Sequence, residues 1–517
     1  MHAPIPPTRP ARSRPSRRGV ALALAVAGAL APGLAAPPTV RGDDPSLAAV
    51  RRRLEEADPA ARAAAVRRLS GALDAASVQT VVGVLSDPHP YVRRAAAGVL
   101  GIVLDGGVRA RLLKEGPAWK DAAAREALVE AFDGWGDRDG RTGLLRLCAD
   151  RSPEVRAAAV GALGADADEA AGRALVLAAS DPDGGVRAAA LDAIAVRAKS
   201  AGATRVEARW EAAARDRDPR VRLSALEGSV AAGGEAAVFA VAHGLDDAVW
   251  SVRLVAAELA GVVRDRRVLA PLVDALRDPR ERVAAAAGAS LVRLTGIPFD
   301  PDPERWGAWL AAEGRTFDPS GVASRRGPPT EAGSRTAATV KFLDLPLASS
   351  HVTFVLDASG SMAERDAAGV SRWDRVREEV DRVLERLGTS AEGNVVLFAD
   401  EARALFDAAV RFTPAARAKV REALASRPPA GRTALYDGIA RALEDPEVDT
   451  VVVLSDGAPS AGRWFTRTDL ERGVARANRW RHARIDVIAI GADDVAKRWR
   501  TLLHDLASTT GGRLLAR

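Results

Sequence analysis

Three short stretches in the C-terminal part of this 517-residue chain gather oxygen-bearing side chains of the kind a hard cation takes as ligands. The first, Asp357-Ala358-Ser359-Gly360-Ser361, closes the apolar run Val352-Thr353-Phe354-Val355-Leu356. Extended backbone repeats every two residues, so an acid and two hydroxyls at i, i+2 and i+4 point the same way. The second, Arg432-Thr433-Ala434-Leu435-Tyr436-Asp437, offers another hydroxyl. The third, Val451-Val452-Val453-Leu454-Ser455-Asp456-Gly457, is a further apolar run ending in an acid. Carboxylate and hydroxyl oxygens, with positions left for water, suit an octahedral Mg2+, with Mn2+ or Ca2+ as alternatives.

Strands and helices must place these oxygens together. Strands are predicted at 352–356, 394–398, 450–454, 485–490 and 513–515, with a short edge strand at 402–406. Helical patterns at 373–387, 414–425, 466–480 and 495–507 fill the gaps. This alternation predicts an α/β doubly wound, Rossmann-like parallel sheet covered on both faces. In such sheets ligands gather beyond the carboxyl ends of the strands at the switch point. Asp357 and Asp456 end two strands expected to be central and adjacent.

In this order D-x-S-x-S, then T, then D resembles the metal-ion-dependent adhesion site of the von Willebrand factor A domain. The resemblance covers residues 336–517, and 394–402 is similar to the second strand and turn of that family. It implies that Ser359 and Ser361 ligate the metal directly, and that Asp357 and Asp456 bind it directly or through water. Thr433 binds directly in the ligand-engaged state and through water otherwise. The remaining position takes a carboxylate from a protein partner. All five positions keep the family pattern.

Upstream, one phrase recurs, as in Asp87-Pro88-His89-Pro90-Tyr91-Val92-Arg93 and Asp181-Pro182-Asp183-Gly184-Gly185-Val186-Arg187. Aligned on arginine, the copies fall at Arg62, Arg93, Arg125, Arg156, Arg187, Arg222, Arg253 and Arg282. A fixed period near thirty residues, with Asp-Pro stopping one helix and opening the next, resembles HEAT repeats in an all-α solenoid. The arginines are expected to pack on neighbouring repeats or pair with turn acids, and Trp119, Trp135, Trp210 and Trp250 to serve as packing. Trp306 and Trp309 read as a closing cap. The predicted division is a signal peptide at 1–35, the solenoid with its cap at 46–312, a flexible linker at 313–336 and the A domain at 337–517.

The net charge of +6 invites a nucleic-acid reading, but Arg9, Arg12, Arg14, Arg17 and Arg18 lie in the leader with no acid beside them. The remainder is close to neutral, which leaves little electrostatic attraction for polyanions. Basic residues, the apolar run 19–30 and small residues at Gly33 and Ala35 compose a Sec or twin-arginine export signal, the alternative being an uncleaved N-terminal anchor. The apolar run is too short to span a bilayer well, and no other stretch qualifies. Cys148 is the only cysteine, so no intrachain disulfide forms, and its apolar helical pattern marks it as buried and inert. The six histidines form no metal or triad spacing, no nucleophile elbow or phosphate loop occurs, and His351 is expected at a surface or turn.

The sequence therefore predicts an exported, non-enzymatic protein in the periplasm, at the cell surface or secreted. Its A domain would capture a partner's acid through Mg2+, with the solenoid as a second interaction surface. A structural scaffold with a vestigial metal site, or a Mg2+-dependent hydrolase, is the alternative. N-terminal sequencing of protein recovered outside the cytoplasm is expected to read Ala36-Pro37-Pro38-Thr39. A recovered chain that retains residues 1–35 would favour the anchor.

Overall fold

The computed structural model describes residues 47–71, 73–201, 207–322, 340–343, 345–347, 349–389, 391–490 and 497–516. The expected leader lies outside them, as do residues 323–336 of the expected linker.

The first part of the described chain is a series of helix pairs. Second helices open on a capped turn: Asp58, Ser152 and Asp218 accept N–H groups of the first turn, and Pro59, Pro153 and Pro219 follow them. The recurrent arginine then ties each pair to the next. Arg125 Nε and Nη2 donate to Asp150 at 2.7 and 2.9 Å, while Nη1 donates to the carbonyls of Trp119 and Lys120. Arg156 repeats this on Asp181 at 2.8 Å and on the carbonyl of Asp150. Arg187 on Asp216, Arg222 on Asp247 and Arg253 on Asp278 extend the ladder, and Arg62 on Asp87 forms an earlier rung.

Two arginines depart from the pattern. Arg93 holds only the carbonyls of Asp87 and Pro88, because Gly116-Pro117-Ala118 supplies no acid one repeat on. Arg282 is not a rung. The Val-Arg pair of earlier copies corresponds to Val283-Ala284, and Arg282 donates instead to the carbonyls of Asp449 and His482 in the α/β region.

Trp210 is buried in the solenoid core, and the cap stacks Phe299, Trp306, Trp309 and Phe317 edge to face with centroids 5.0–5.7 Å apart. Arg264 donates to the carbonyl of Pro319, so the cap continues past the boundary expected at 312.

In the second region β1 (Val340–Phe342) and β2 (Leu345–Leu347) form a hairpin. The main sheet contains β3 (His351–Asp357), β4 (Glu392–Phe398), β5 (Ala402–Ala404), β6 (Val410–Arg411), β7 (Thr450–Ser455), β8 (Arg484–Ala489) and β9 (Leu514–Ala516). Its order is β5-β4-β3-β7-β8-β9, with β6 beside β4. Neighbours from β4 to β9 along this order run parallel, whereas β5 and β6 are antiparallel to β4. Every residue of β3 and β7 is buried, as parallel strands covered on both faces require. Trp373, Val376 and Val380 of helix Arg372–Leu387 cover one face, and Leu470, Val474 and Leu506 cover the other.

The face made by the solenoid's second helices, the surface expected to be free for partners, is covered by this α/β region. Arg94 pairs with Asp469, and Phe465 meets Tyr91 with ring centroids 4.7 Å apart. Arg479 donates to Glu227 and Asp192 at 2.5 and 3.1 Å, Trp250 Nε1 to the carbonyl of Pro446 at 3.3 Å. Burial pushes the carboxyls of Asp192 and Glu227 above their usual range even beside the guanidinium, so desolvation offsets part of what these ion pairs contribute.

His351, expected at a surface or turn, is buried, with Nε2 2.8 Å from Asp445 Oδ2. It begins the central strand, where β4 and β7 flank it on both sides.

Burial alone would raise the carboxyl of Asp150, but the Arg125 guanidinium and the Ser152 N–H outweigh it and hold the group below the usual range. The two side chains are 1 % and 3 % exposed. Arg125→Ala strands a buried charge and is expected to cost about 3–5 kcal/mol in urea unfolding followed by circular dichroism. The pair's stabilisation is complete above the ordinary carboxyl pKa of ~4 and fades as pH falls through the lower folded-state value. A loss below about 1 kcal/mol would contradict the ladder's role.

Candidate functional site

Parallel pairing of Leu356 with Leu454 sets Asp357 beside Ser455 and Asp456 at the carboxyl edge of the sheet. Asp357 is fully buried: Oδ1 accepts the Ser359 N–H at 2.9 Å, and Oδ2 accepts the Ser455 hydroxyl at 2.6 Å. Ser359 Oγ stands 3.1 Å from Ser361 Oγ, which donates to Asp456 Oδ1 at 2.7 Å. Arg372 Nη1 donates to Asp456 Oδ2 at 2.9 Å, and its Nη2 pairs with Glu364 at 2.8 Å.

Backbone bonds bring in the loop carrying Thr433. Gly360 N–H donates to the carbonyl of Gly431 at 3.0 Å, Ala430 N–H to Ala358 at 2.9 Å, and Ala434 N–H to Ala399 at 2.8 Å. Gly431 takes φ +85°, and a Cβ there would lie 2.2 Å from Asp400 Oδ2, so the turn requires glycine. Ser460 grips Thr433 from the loop after β7: its hydroxyl accepts the Thr433 N–H at 3.0 Å, and its N–H donates to the Thr433 carbonyl at 3.0 Å. A Cβ on Gly457 would stand 3.8 Å from both Ser361 Oγ and Thr433 Oγ1, so the two hydroxyls flank one point that glycine keeps clear.

All five sequence-predicted residues thus lie at one edge of the sheet, on three neighbouring loops. Burial, aided by the nearby charge of Asp456, pushes the Asp357 carboxyl up to about 6 against the opposing hydrogen bonds from Ser455 and Ser359. Among the described residues no three His, Cys, Asp or Glu side chains gather as a metal cluster. Two buried carboxylates with three hydroxyls nonetheless form an oxygen donor set of the kind that would fit Mg2+. Cys148 lies elsewhere, and burial pushes its thiol up to about 12, which makes it inert.

Three participants escaped prediction from sequence. Ser455 precedes Asp456, and strand alternation turns it toward Asp357; that signal was available. Ser460 and Arg372 arrive through tertiary folding, with no local pattern to mark them.

Residues 351–515 match the family model of the von Willebrand factor type A domain, and residues 47–116 and 113–195 match HEAT repeats. The chain is similar to a solved von Willebrand factor type A protein from Catenulispora acidiphila, at 21% identity and TM-score 0.27 over 32% of this chain and 38% of that one. It is also similar to the pilus adhesin SpaC from Lactobacillus rhamnosus GG, at 13% identity and TM-score 0.27, covering 32% of this chain and 28% of that one. Both relatives are therefore matched over well under half their length. The X-ray structure of YIBA_ECOLI matches at 20% identity and TM-score 0.34, over 48% of this chain and 93% of that one. No curated protein matches.

The raised Asp357 carboxyl means that, without divalent ions, the folded chain holds this proton more tightly than the unfolded chain does. Its contribution to stability is therefore largest at low pH and is lost as pH rises through about 6. Melting of the metal-stripped chain is expected to decline more between about pH 5 and 7 than that of Asp357→Asn. Parallel curves would contradict the assignment.

Proposed function

From a chain that carries HEAT repeats followed by a von Willebrand factor type A domain, a module of protein interaction and adhesion, we propose an exported, non-enzymatic binding protein. Its A domain captures an acidic group of a protein partner through Mg2+, with Mn2+ or Ca2+ as alternatives. Asp357, Ser359, Ser361, Thr433 and Asp456 would hold the ion.

The observation that carries this reading is a fully buried carboxylate, raised toward neutrality, in a pocket walled by hydroxyls and a second acid. The two buried carboxylates are opposed by the one positive charge of Arg372, which also pairs with the water-exposed Glu364. With Glu364 screened by solvent, a divalent cation would leave the buried set a positive surplus that draws an anion. When bound, Mg2+ supplies a positive, oxygen-seeking position that a carboxylate fills. The chain's own groups do the rest. Ser455 and Ser359 orient Asp357, Arg372 fixes Asp456, and Ser460 holds the Thr433 loop in place.

Among the described residues no helix is long and apolar enough to cross a membrane.

Isothermal titration of the chain from Ala36 onward with Mg2+ tests this. One site per chain is expected, and Asp357→Ala is expected to lose more than the about 10–100-fold that follows removal of a ligand's hydrogen-bond partner. Undiminished Mg2+ binding by Asp357→Ala would end the assignment.

A further inference from the structure

Beside the candidate metal site the two domains line an open cleft of about 770 Å³. One wall is solenoid: the turn at Ala57 and the next at Pro88 and His89. The opposite wall is the A domain: Arg432, the loop from Ser460 to Arg463, and Phe465. Neither domain forms it alone.

Its position follows from the site. Arg432 immediately precedes Thr433, and Ser460, whose hydroxyl holds the Thr433 N–H, lines the same space. A polypeptide that offered a carboxylate at Thr433 would have its flanking residues beside this opening.

The walls are fixed where they meet. His89 Nδ1 accepts the Tyr91 N–H at 3.3 Å, so Nε2 carries the hydrogen and donates it to the Gly462 carbonyl at 3.2 Å. Phe465, which lines the cleft, packs edge to face on Tyr91, and Arg94 of the same solenoid helix pairs with Asp469. The lining combines apolar surface from Pro88, Pro90 and Phe465 with the exposed Arg463 guanidinium, while Arg432 is paired with Asp400 at 2.9 Å and Asp58 and Asp437 add carboxylates at the rim. Apolar surface beside Arg463 suits an extended polypeptide with apolar side chains near an acid, lying along an open cleft.

We propose that this interdomain cleft receives the extended, apolar flank of a partner protein's acidic segment, so that the solenoid reads sequence beside the carboxylate bound at the metal. The proposal rests on the metal-site reading above, and its test separates the two.

The probe is a hexapeptide library with one fixed Asp and random flanks, selected on the chain from Ala36 onward in Mg2+. Apolar residues are expected to be enriched next to the Asp. Ala57→Trp, at an exposed turn, fills the cleft from the solenoid side; it is expected to weaken the selected peptides at least tenfold while Mg2+ affinity stays unchanged. Arg463→Glu is expected to weaken them severalfold. Peptides that bind in EDTA but are lost in Ala57→Trp support the cleft and sink the metal reading. Peptides that bind Ala57→Trp as they bind wild type overturn the cleft, as does a library that yields no binder. If Asp43→Ala with Asp44→Ala raises peptide affinity tenfold, the chain's own N-terminal segment is the occupant and the assignment to a separate partner falls.

Discussion

Two neighbouring parallel strands, each ending in an acid, put like charges side by side where water is largely excluded. Asp357 at the end of β3 and Asp456 just beyond β7 cannot both remain ionised cheaply without a counter-charge. The surrounding structure meets this problem in parts. Hydroxyls of Ser455 and Ser361 donate to the carboxylates, Arg372 supplies one positive charge, and the raised Asp357 carboxyl marks what is left unbalanced. On the reading proposed above, a divalent cation would complete the balance, with the hydroxyls of Ser359 and Thr433 as neutral ligands, and a donor set poor in carboxylates would leave the ion charge to attract an outside acid.

The solenoid bears on the same site through one loop and one helix. The segment after Asp456 runs past Ser460, which holds Thr433, to Gly462 and Phe465 on the second repeat. Helix Arg467–Asn478 and the turn after it then carry Asp469, Arg476 and Arg479 onto second helices of four repeats, from Arg94 to Glu227. The Arg–Asp ladder fixes the spacing of those helices, so its regularity sets where each interface partner falls. Arg282, two residues out of register with the ladder, grips the carbonyl of His482, whose φ of +53° turns it toward the solenoid. The repeats thus hold the A domain along helix Arg467–Asn478 and the loops on either side of it.

Much of this was legible in sequence because it is local. The main strands and the helix at 414–425 follow from buried apolar runs and 3.6-residue periodicity, and their ends moved by at most a few residues. Five candidate ligands were readable because a D-x-S-x-S turn, a Thr loop and a strand-ending Asp each carry their own pattern. The ladder was half visible. Arginine recurrence stood out, whereas its pairing to an acid 25 residues on, as from Arg125 to Asp150, needed the stacking geometry.

What stayed hidden is long-range. Arg372 reaches Asp456 across 84 residues, Arg479 reaches Glu227 across 252, and nothing near either arginine announces its partner. The hairpin β1–β2 and strand β6 are too short for alternation to register. His351 looked peripheral because the strand start was read without Asp445, which lies before the neighbouring strand.

The account stands on one cation among five side-chain oxygens. Crystals of the chain soaked in Mn2+ and measured at its absorption edge address it without reference to partner or activity. The account predicts one strong anomalous peak per chain, between Ser359 Oγ, Ser361 Oγ and Thr433 Oγ1 and absent from Asp357→Ala crystals. A map with no peak there, or with manganese only on surface carboxylates, would contradict it.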